Sequence, residues 1–459
     1  MSVSPSRAAA FDILLRVERE KSYTADLLHS AAYDELSRPD HALATELVMG
    51  VVRWRSRLDD EIAGAASQPP KKLDLEVLTA LRLAVYQFRF LDRIPPRAAL
   101  HESVELVKRA RKRSAAPFVN AVLRKVSVSK PLCSSVPPVV NPSQPEEMAN
   151  VWAHPQWLVK RWAKDYGEAI TEKICRYNQS TPTTSVRLRD LKSETELATE
   201  GISLTPGALL SSARRLESGE ITRTKAFRQR QIVIQDEASQ LVAALVGQVE
   251  KENPRFLDCC AAPGGKTLAI SDNNPSAAVT AVEIHPHRAR LMQKLVGRNE
   301  STRIKIVAAD ATNLPVSLKF DRILVDVPCC GTGTLARNPE IKWRLKPEDL
   351  AELHNRQLTI LRSTLAHLAP GGRLVYSTCS LEREENENVI EQALVETSSI
   401  RLLDCRAELD RLKTIGALTL SDPEPLSRGR FLRTIPGVHP CDGFFAAILE
   451  KSLERQMSS

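Results

Sequence analysis

The sequence predicts a multidomain chain: an all-α N-terminal region, a small α+β middle module, and a C-terminal α/β domain with a Rossmann-like, mostly parallel, doubly wound sheet. Three observations predict it. From residue 5 to about 126, apolar residues recur at helical spacing. One alternating run, TTSVRLRDLK at 183–192, then stands among helical and irregular stretches. From Gln231 onward strand and helix patterns alternate, and each strand ends at a polar residue. The expected boundaries are 1–126, a linker at 127–150, 151–230, and 231–452.

The bulk numbers agree. A chain of 459 residues is long enough for about three domains. At 42% hydrophobic and 26% charged, it has the composition of a folded, soluble protein. No apolar run approaches the ~20 residues of a membrane span. The opening MSVSPSRAAAFDILLRVERE lacks the apolar core of a signal peptide and moves straight into a helical pattern, which places the protein in the cytoplasm. Nine cysteines, with no Cys-x-x-Cys spacing, indicate neither a disulfide framework nor a zinc site. Five of them, Cys259, Cys260, Cys329, Cys330 and Cys379, fall in three compact motifs, a pattern of reactive thiols in a reducing compartment. The net charge of +8 is unevenly spread: +5 in residues 1–126, +4 in 127–235 and −1 in the rest. The basic surplus in the N-terminal half suggests a front end that binds a polyanion.

In the first region, Phe11, Leu14 and Leu15 form one apolar helix face, and Leu78, Leu81, Val85 and Phe88 another. Breaks are expected at Ser67–Pro70 and at Ile94–Pro96. The run KRARKR at 108–113, set beside Arg53, Arg55 and Arg57, makes phosphate contact plausible. Residues 127–150 are rich in Pro and Ser without periodicity and read as a linker. Trp157, Trp162 and Tyr166 lie on a helical pattern and are either core or stacking surfaces for bases. Arg187 and Arg189 share one face of the alternating strand, which suggests a basic sheet.

In the last region the candidate strands are 255–258, 278–282, 305–308, 322–326, 373–377 and 446–449. Candidate helices are 237–246, 286–296, 347–368 and 384–397. Ligands of such sheets bind at the carboxyl ends of the strands. Asp258, Glu283, Asp310, Asp326 and Thr378–Cys379 therefore share one rim.

The centre of the chain's chemistry is LDCCAAPGGKT at 257–267, a strand end, a glycine turn and a helix start. Such a turn brings backbone N–H groups to a ligand at a helix N-terminus. It ends like a phosphate-binding P-loop, but that motif needs a glycine five places before Gly265, where Cys260 stands. A nucleoside cofactor remains. Glu283, seventeen positions past Lys266, can accept both hydroxyls of a ribose. Asp310 could take an adenine amino group or cap the next helix.

Two thiol motifs complete the rim: VDVPCCGTGT at 325–334 and YSTCS at 376–380. A reaction that needs a thiol beside a methyl donor is methylation at carbon 5 of a pyrimidine. That carbon becomes nucleophilic once a thiolate adds at carbon 6. An aspartate holding the pyrimidine N3 or amino group would stabilise charge developing in the ring, which suits Asp326.

DCCAAPGGKT, DVPCCGTGT with RNPEIKW after it, and YSTCSLEREENE resemble the RNA cytosine-5 methyltransferases that use S-adenosylmethionine. ELVMGVVRWRSRLD, HESVELVKRA and FVNAVLRKV resemble the NusB-type helical RNA-binding domain. Together the arrangement is similar to the bacterial ribosomal RNA small subunit methyltransferase B group. The resemblance implies that Cys379 attacks carbon 6 and that Cys329 helps release the product. In DNA cytosine-5 methyltransferases the Pro-Cys thiol is the nucleophile, which would swap these roles. It also implies that Cys260, Ala261, Ala262, Pro263, Gly264, Gly265, Lys266, Glu283, Arg288, Asp310 and Asp326 bind the cofactor or frame the target base, with Lys266 and Asp326 counted among the catalytic groups. Two departures stand out: Glu283 replaces an aspartate common in relatives, and Cys330 places a spare thiol beside Cys329. Phe444 and Phe445 read as packing.

The implied function is S-adenosylmethionine-dependent methylation of carbon 5 of a cytosine in 16S ribosomal RNA. The implied partner is that RNA, with no membrane, no metal and a monomeric chain. The alternatives are a transfer RNA or other RNA substrate, or an RNA-binding factor with a vestigial methyltransferase domain.

Overall fold

The structure, a computed structural model, describes residues 3–128, 144–297, 302–314 and 318–453. Contacts divide the chain into two units, Met1–Thr181 with Leu335–Arg344, and Pro182–Thr334 with Leu345–Ser459. None of the helices described is long and apolar enough to cross a membrane.

The first unit is helical. Its central element is Leu75–Phe90, buried on nearly every side, with Leu81, Ala84 and Val85 fully enclosed. Pro5–Glu20, Arg38–Arg53, Arg55–Ala66, Pro96–Arg109 and Ala116–Val128 contribute the rest of this core, including Phe11, Leu47, Leu58, Leu106 and Leu123. Each such side chain contributes about 1.5–3 kcal/mol by leaving water. Both predicted breaks are real. Arg55–Ala66 ends at Ser67 in a left-handed conformation (φ 54°), and Pro96 opens the helix after Ile94. Arg82 and Arg89, on the central helix, are neutralised by Asp59 and Glu61 at 2.7 Å each.

Several expectations need correction. Arg53 is buried and donates to the carbonyl of Ala336 at 2.8 Å, and Arg55 pairs with Glu18 at 2.9 Å. Neither is available to a phosphate. Lys108, Arg109 and Lys112 keep their exposure but pair with Glu105, Asp12 and Asp74. Of the two readings open for Trp162, the core one holds: it is fully buried on Gln156–Tyr166. Of the linker expected at 127–150, residues 129–143 lie outside the described residues, and its last stretch is part of a helix, Pro145–Val151.

Leu335–Arg344 belongs to the helical unit although its neighbours in sequence do not. Glu340 accepts from the backbone N–H and hydroxyl of Thr24, both at 2.9 Å. Lys342 and Trp343 donate to the carbonyls of Arg53 (3.0 Å) and Val52 (2.7 Å). Those carbonyls are left open at the C-terminal end of Arg38–Arg53, where a helix has no partners of its own for them.

The second unit carries two sheets. The smaller is antiparallel, in the order Ser203–Pro206, Ala213–Ser218, Ser185–Leu188, Ile232–Ile234. It is not a free basic face, because Arg187 of the strand Ser185–Leu188 and Arg189 just after it both turn to Asp272. Arg187 reaches that carboxylate at 2.7 Å and Arg189 at 2.6 Å.

The larger sheet has a parallel half and an antiparallel half. Ile304–Ala308, Ala278–Glu283, Arg255–Cys259, Phe320–Asp326 and Leu368–Thr378 run parallel in that spatial order. Phe445–Lys451 then pairs antiparallel with Leu368–Thr378 and carries Phe431–Arg433, Ser427–Arg428 and Ile400–Leu403 beyond it. The last three strands and the helix Cys405–Thr414 were not read from the sequence. The strand order reverses direction between Arg255–Cys259 and Phe320–Asp326, which opens a crevice at their carboxyl ends.

Candidate active site

The Arg255–Cys259 strand leaves the sheet through Cys260, held left-handed at φ 61°. A non-glycine residue there is strained, and such strain gathers at functional sites. Ala261 donates to the carbonyl of Val282 at 2.9 Å, tying the turn to the next strand. Gly264 sits at φ 109°, a conformation side-chain-bearing residues rarely adopt, and the helix Gly265–Asn273 begins directly after it. Behind the turn, the Thr267 hydroxyl lies 2.5 Å from the fully buried carboxyl of Asp258. Burial is the main reason Asp258 is pushed up to about 7, with the Asp326 charge adding to it against the Thr267 bond and the Lys266 charge.

Beside the turn lies a cavity of about 290 Å³. On the side of the glycine turn it gathers Cys260, Ala262, Glu283, Arg288 and Asp310. On its other side it gathers Asp326, Cys329 and Cys379. Glu283 is buried and accepts from the backbone N–H of His285 at 2.9 Å, with Arg288 3.6 Å away. Asp310 accepts from the Thr312 N–H at 2.9 Å, and that bond holds its carboxyl below the ordinary value. Asp326 takes a bond from Ser377 Oγ at 2.7 Å and an ion pair from Lys266 Nζ at 2.8 Å. Burial alone would lower the lysine, but the Asp326 charge and hydrogen bond outweigh it and Lys266 is raised. Ala261, Pro263, Gly264, Gly265 and Lys266 shape the turn without lining the cavity; Lys266 reaches it only through Asp326.

The sulfurs of Cys329 and Cys379 stand 3.3 Å apart, both partly exposed. Their loops meet again at Gly333, whose N–H donates to the carbonyl of Cys379 at 2.9 Å. A Cβ on Gly333 would lie 2.2 Å from the Gly443 carbonyl oxygen, so only glycine permits this approach. The shared hydrogen bond with Cys379, followed by burial, drives the Cys329 thiol well up. Cys330 is buried, bonded to Ser380 Oγ at 3.2 Å, and burial drives it up as well. The arrangement can hold one thiol protonated against another acting as nucleophile, with a carboxylate–ammonium pair at its side.

The chain is similar along nearly its whole length to known proteins. Residues 246–450 match the family model "16S rRNA methyltransferase RsmB/F", residues 4–128 match "NusB family", and residues 154–221 match a ferredoxin-like domain of RsmF/B-like methyltransferases. A Bacillus subtilis protein named "Probable ribosomal RNA small subunit methyltransferase B" is 35% identical over 98% of this chain and 100% of its own. The chain belongs to the RsmB/F methyltransferase family. A Vibrio cholerae member, "Ribosomal RNA small subunit methyltransferase B", is 31% identical over 97% of each chain. The crystal structure of PH0851 shares the fold at a TM-score of 0.80 and 23% identity, covering 98% of this chain and 100% of its own. A methyltransferase homologue from Pyrococcus horikoshii shares it at 0.56 and 24% identity, over 68% of this chain and 100% of its own.

Among the cavity residues of this methyltransferase not read as site residues from the sequence are Ile284, His285, Arg356 and Ile360. Arg356 and Ile360 lie four apart on Asp349–Ala366 and so on one face of it. Nothing near them in sequence distinguishes that face. Ile284 follows Glu283 and is exposed at 40%, and a large apolar residue left open beside a strand-end acid is a signal that could have been used. Among the described residues no group of three or more His, Cys, Asp or Glu could hold a metal.

Proposed function

We propose that this methyltransferase modifies carbon 5 of a cytosine in small-subunit ribosomal RNA, with S-adenosylmethionine as methyl donor and Cys379 as covalent catalyst. The observation that carries the reading is the thiol pair, two sulfurs 3.3 Å apart on the cavity that also holds Glu283 and Asp326. The names of the relatives favour ribosomal RNA over other substrates.

The cavity fits a nucleoside donor. Its volume is near the lower end for small-molecule sites, and Glu283 offers a buried carboxylate at the end of the second parallel strand, where a ribose is held in such folds. Asp310, one strand further, suits the adenine amino group. When bound, S-adenosylmethionine supplies an electrophilic methyl group.

The chain's own residues do the rest. Cys379 adds through its sulfur to carbon 6 of the flipped base and pushes the ring electrons toward N3. Asp326, fixed by Ser377 and charge-balanced by Lys266, holds the base at N3 and its amino group. Cys329, kept as a thiol, stands beside the carbon–sulfur bond that must break when the carbon 5 proton leaves and Cys379 departs. The helical unit, whose residues 4–128 match the NusB family, holds the RNA. Bisulfite mapping of total RNA from a deletion strain tests the assignment. A single cytosine of small-subunit ribosomal RNA should lose its methyl group, and loss only in transfer RNA would refute the substrate.

A further inference from the structure

Outside the cavity, one carboxylate touches the neighbours of both thiols. Glu385 is fully buried. Its Oε1 accepts from the backbone N–H of Cys330 at 2.9 Å and from Gln357 Nε2 at 2.7 Å. Its Oε2 accepts from Ser380 Oγ at 2.5 Å. Cys330 and Ser380 directly follow Cys329 and Cys379. Gln357 also donates to the carbonyl of Pro328 at 3.0 Å, so the Cys329 peptide is gripped on both sides. Asn386, next to Glu385, accepts from Thr378 Oγ1 at 2.5 Å and donates to the Ser380 carbonyl at 2.9 Å, which does the same for Cys379.

The sheet itself does not set the sulfur spacing. The ladder between Phe320–Asp326 and Leu368–Thr378 ends at the Asp326–Ser377 pair, with one further bond from the Val327 N–H to the Ser377 carbonyl. Cys329 and Cys379 lie past it, where the strands no longer dictate separation. We propose that Glu385 is a positioning residue: it spans the two loops and holds both sulfurs at one separation, so that each serves the same ring in turn. This rests on the thiol roles proposed above. The span needs the full side-chain length and a hydrogen bond at each end, so the requirement is for reach rather than for charge. Glutamine preserves that reach and can bond Ser380 by donating to its oxygen, whereas aspartate is one methylene too short.

Phenylarsine oxide reports the spacing without any reaction of the enzyme. Its arsenic forms one bond to each of two thiols, and the two thiol protons leave with the oxide oxygen as water. Capture by the full-length protein is followed by intact mass, with peptide mapping to locate the bridged cysteines. The wild type is expected to bridge Cys329 and Cys379. Glu385→Ala and Glu385→Asp are expected to weaken capture about tenfold and to lower kcat by about 10²-fold, with both KM values within a factor of about two, since a misplacement of about 1 Å costs on that order. Glu385→Gln is expected to restore most of both. Wild-type capture by Glu385→Asp overturns the proposal, and so does a Glu385→Gln protein as impaired as Glu385→Asp. If Glu385→Ala does not fold, the other two variants decide. Arsenical capture that follows this order in a protein that methylates no cytosine would refute the proposed function and leave this inference standing.

Discussion

Cys329 and Cys379 are fifty positions apart in sequence, yet their sulfurs lie 3.3 Å apart, each on the loop that leaves one of two neighbouring parallel strands. The proximity places two thiols side by side on one wall of the cavity. The Cys329 thiol is driven up, first by its bond to Cys379 and then by burial. The proposed division of labour predicts opposite phenotypes. Cys379→Ala should abolish both methylation and covalent trapping on RNA. Cys329→Ala should lose turnover and accumulate a protein–RNA adduct on a denaturing gel. Reversed phenotypes would swap the thiol roles and leave the enzyme class intact.

Glu283 provides a second test. Its buried carboxylate has one oxygen on the His285 N–H and the other near Arg288. Glu283→Gln keeps the shape and loses the charged acceptor. Charge-assisted bonds contribute roughly 1.5–3 kcal/mol, so the KM for S-adenosylmethionine should rise about tenfold or more. The kcat should change little, because the ribose hydroxyls take no part in the methyl transfer. Initial rates at varied donor concentration check this; an unchanged KM would remove Glu283 from the cofactor site.

Asp258 makes stability depend on pH. Its folded-state value of about 7 lies above the ordinary 3.8, so the folded chain binds a proton more tightly than the unfolded one. Stability from this group is therefore full below about pH 4 and is lost as pH rises toward 7. Asp258→Asn, similar in shape and uncharged, should flatten that slope. Melting temperatures at pH 5 and pH 8 measure it. The wild type should lose more than the variant between them, and parallel losses would show that Asp258 is ionised throughout.

Glu340 tests the excursion of Leu335–Arg344 into the helical unit. Glu340→Ala leaves the Thr24 N–H and hydroxyl without their buried acceptor. An orphaned buried donor costs about 1–3 kcal/mol. Urea unfolding of the full chain should show the helical transition shifted to lower denaturant by that amount, with the transition of the sheet unit unmoved. A shift confined to the sheet unit would contradict the placement.

Much of the parallel half of the fold was legible because its signals are local. The strand Arg255–Cys259, its glycine turn and the helix after it are written in eleven consecutive residues, 257–267, and the helix at Pro286–Val296 shows its apolar face every three or four positions. The antiparallel extension was harder to see. Ile400–Leu403 and Phe431–Arg433 are four and three residues long, too short for periodicity to register, and the partner of the first, Phe445–Lys451, lies well beyond it in the chain. The basic residues were misread for a related reason. Arg53, Arg55, Arg187 and Arg189 look like a surface surplus in one dimension, but each is taken up by a partner distant in sequence.

The sequence by itself determined which residue types are available for the chemistry: two loop thiols, a strand-end acid, a lysine in a glycine turn. It could do so because each motif is continuous and its turn chemistry is set by its own few side chains. Only the tertiary structure decided that Lys266 meets Asp326, that the two sulfurs touch, and that Leu335–Arg344 belongs to the helical unit and closes the end of a helix there. Those outcomes depend on strand order and on which buried donors find acceptors, and both are settled by contacts between segments that carry no trace of one another in sequence.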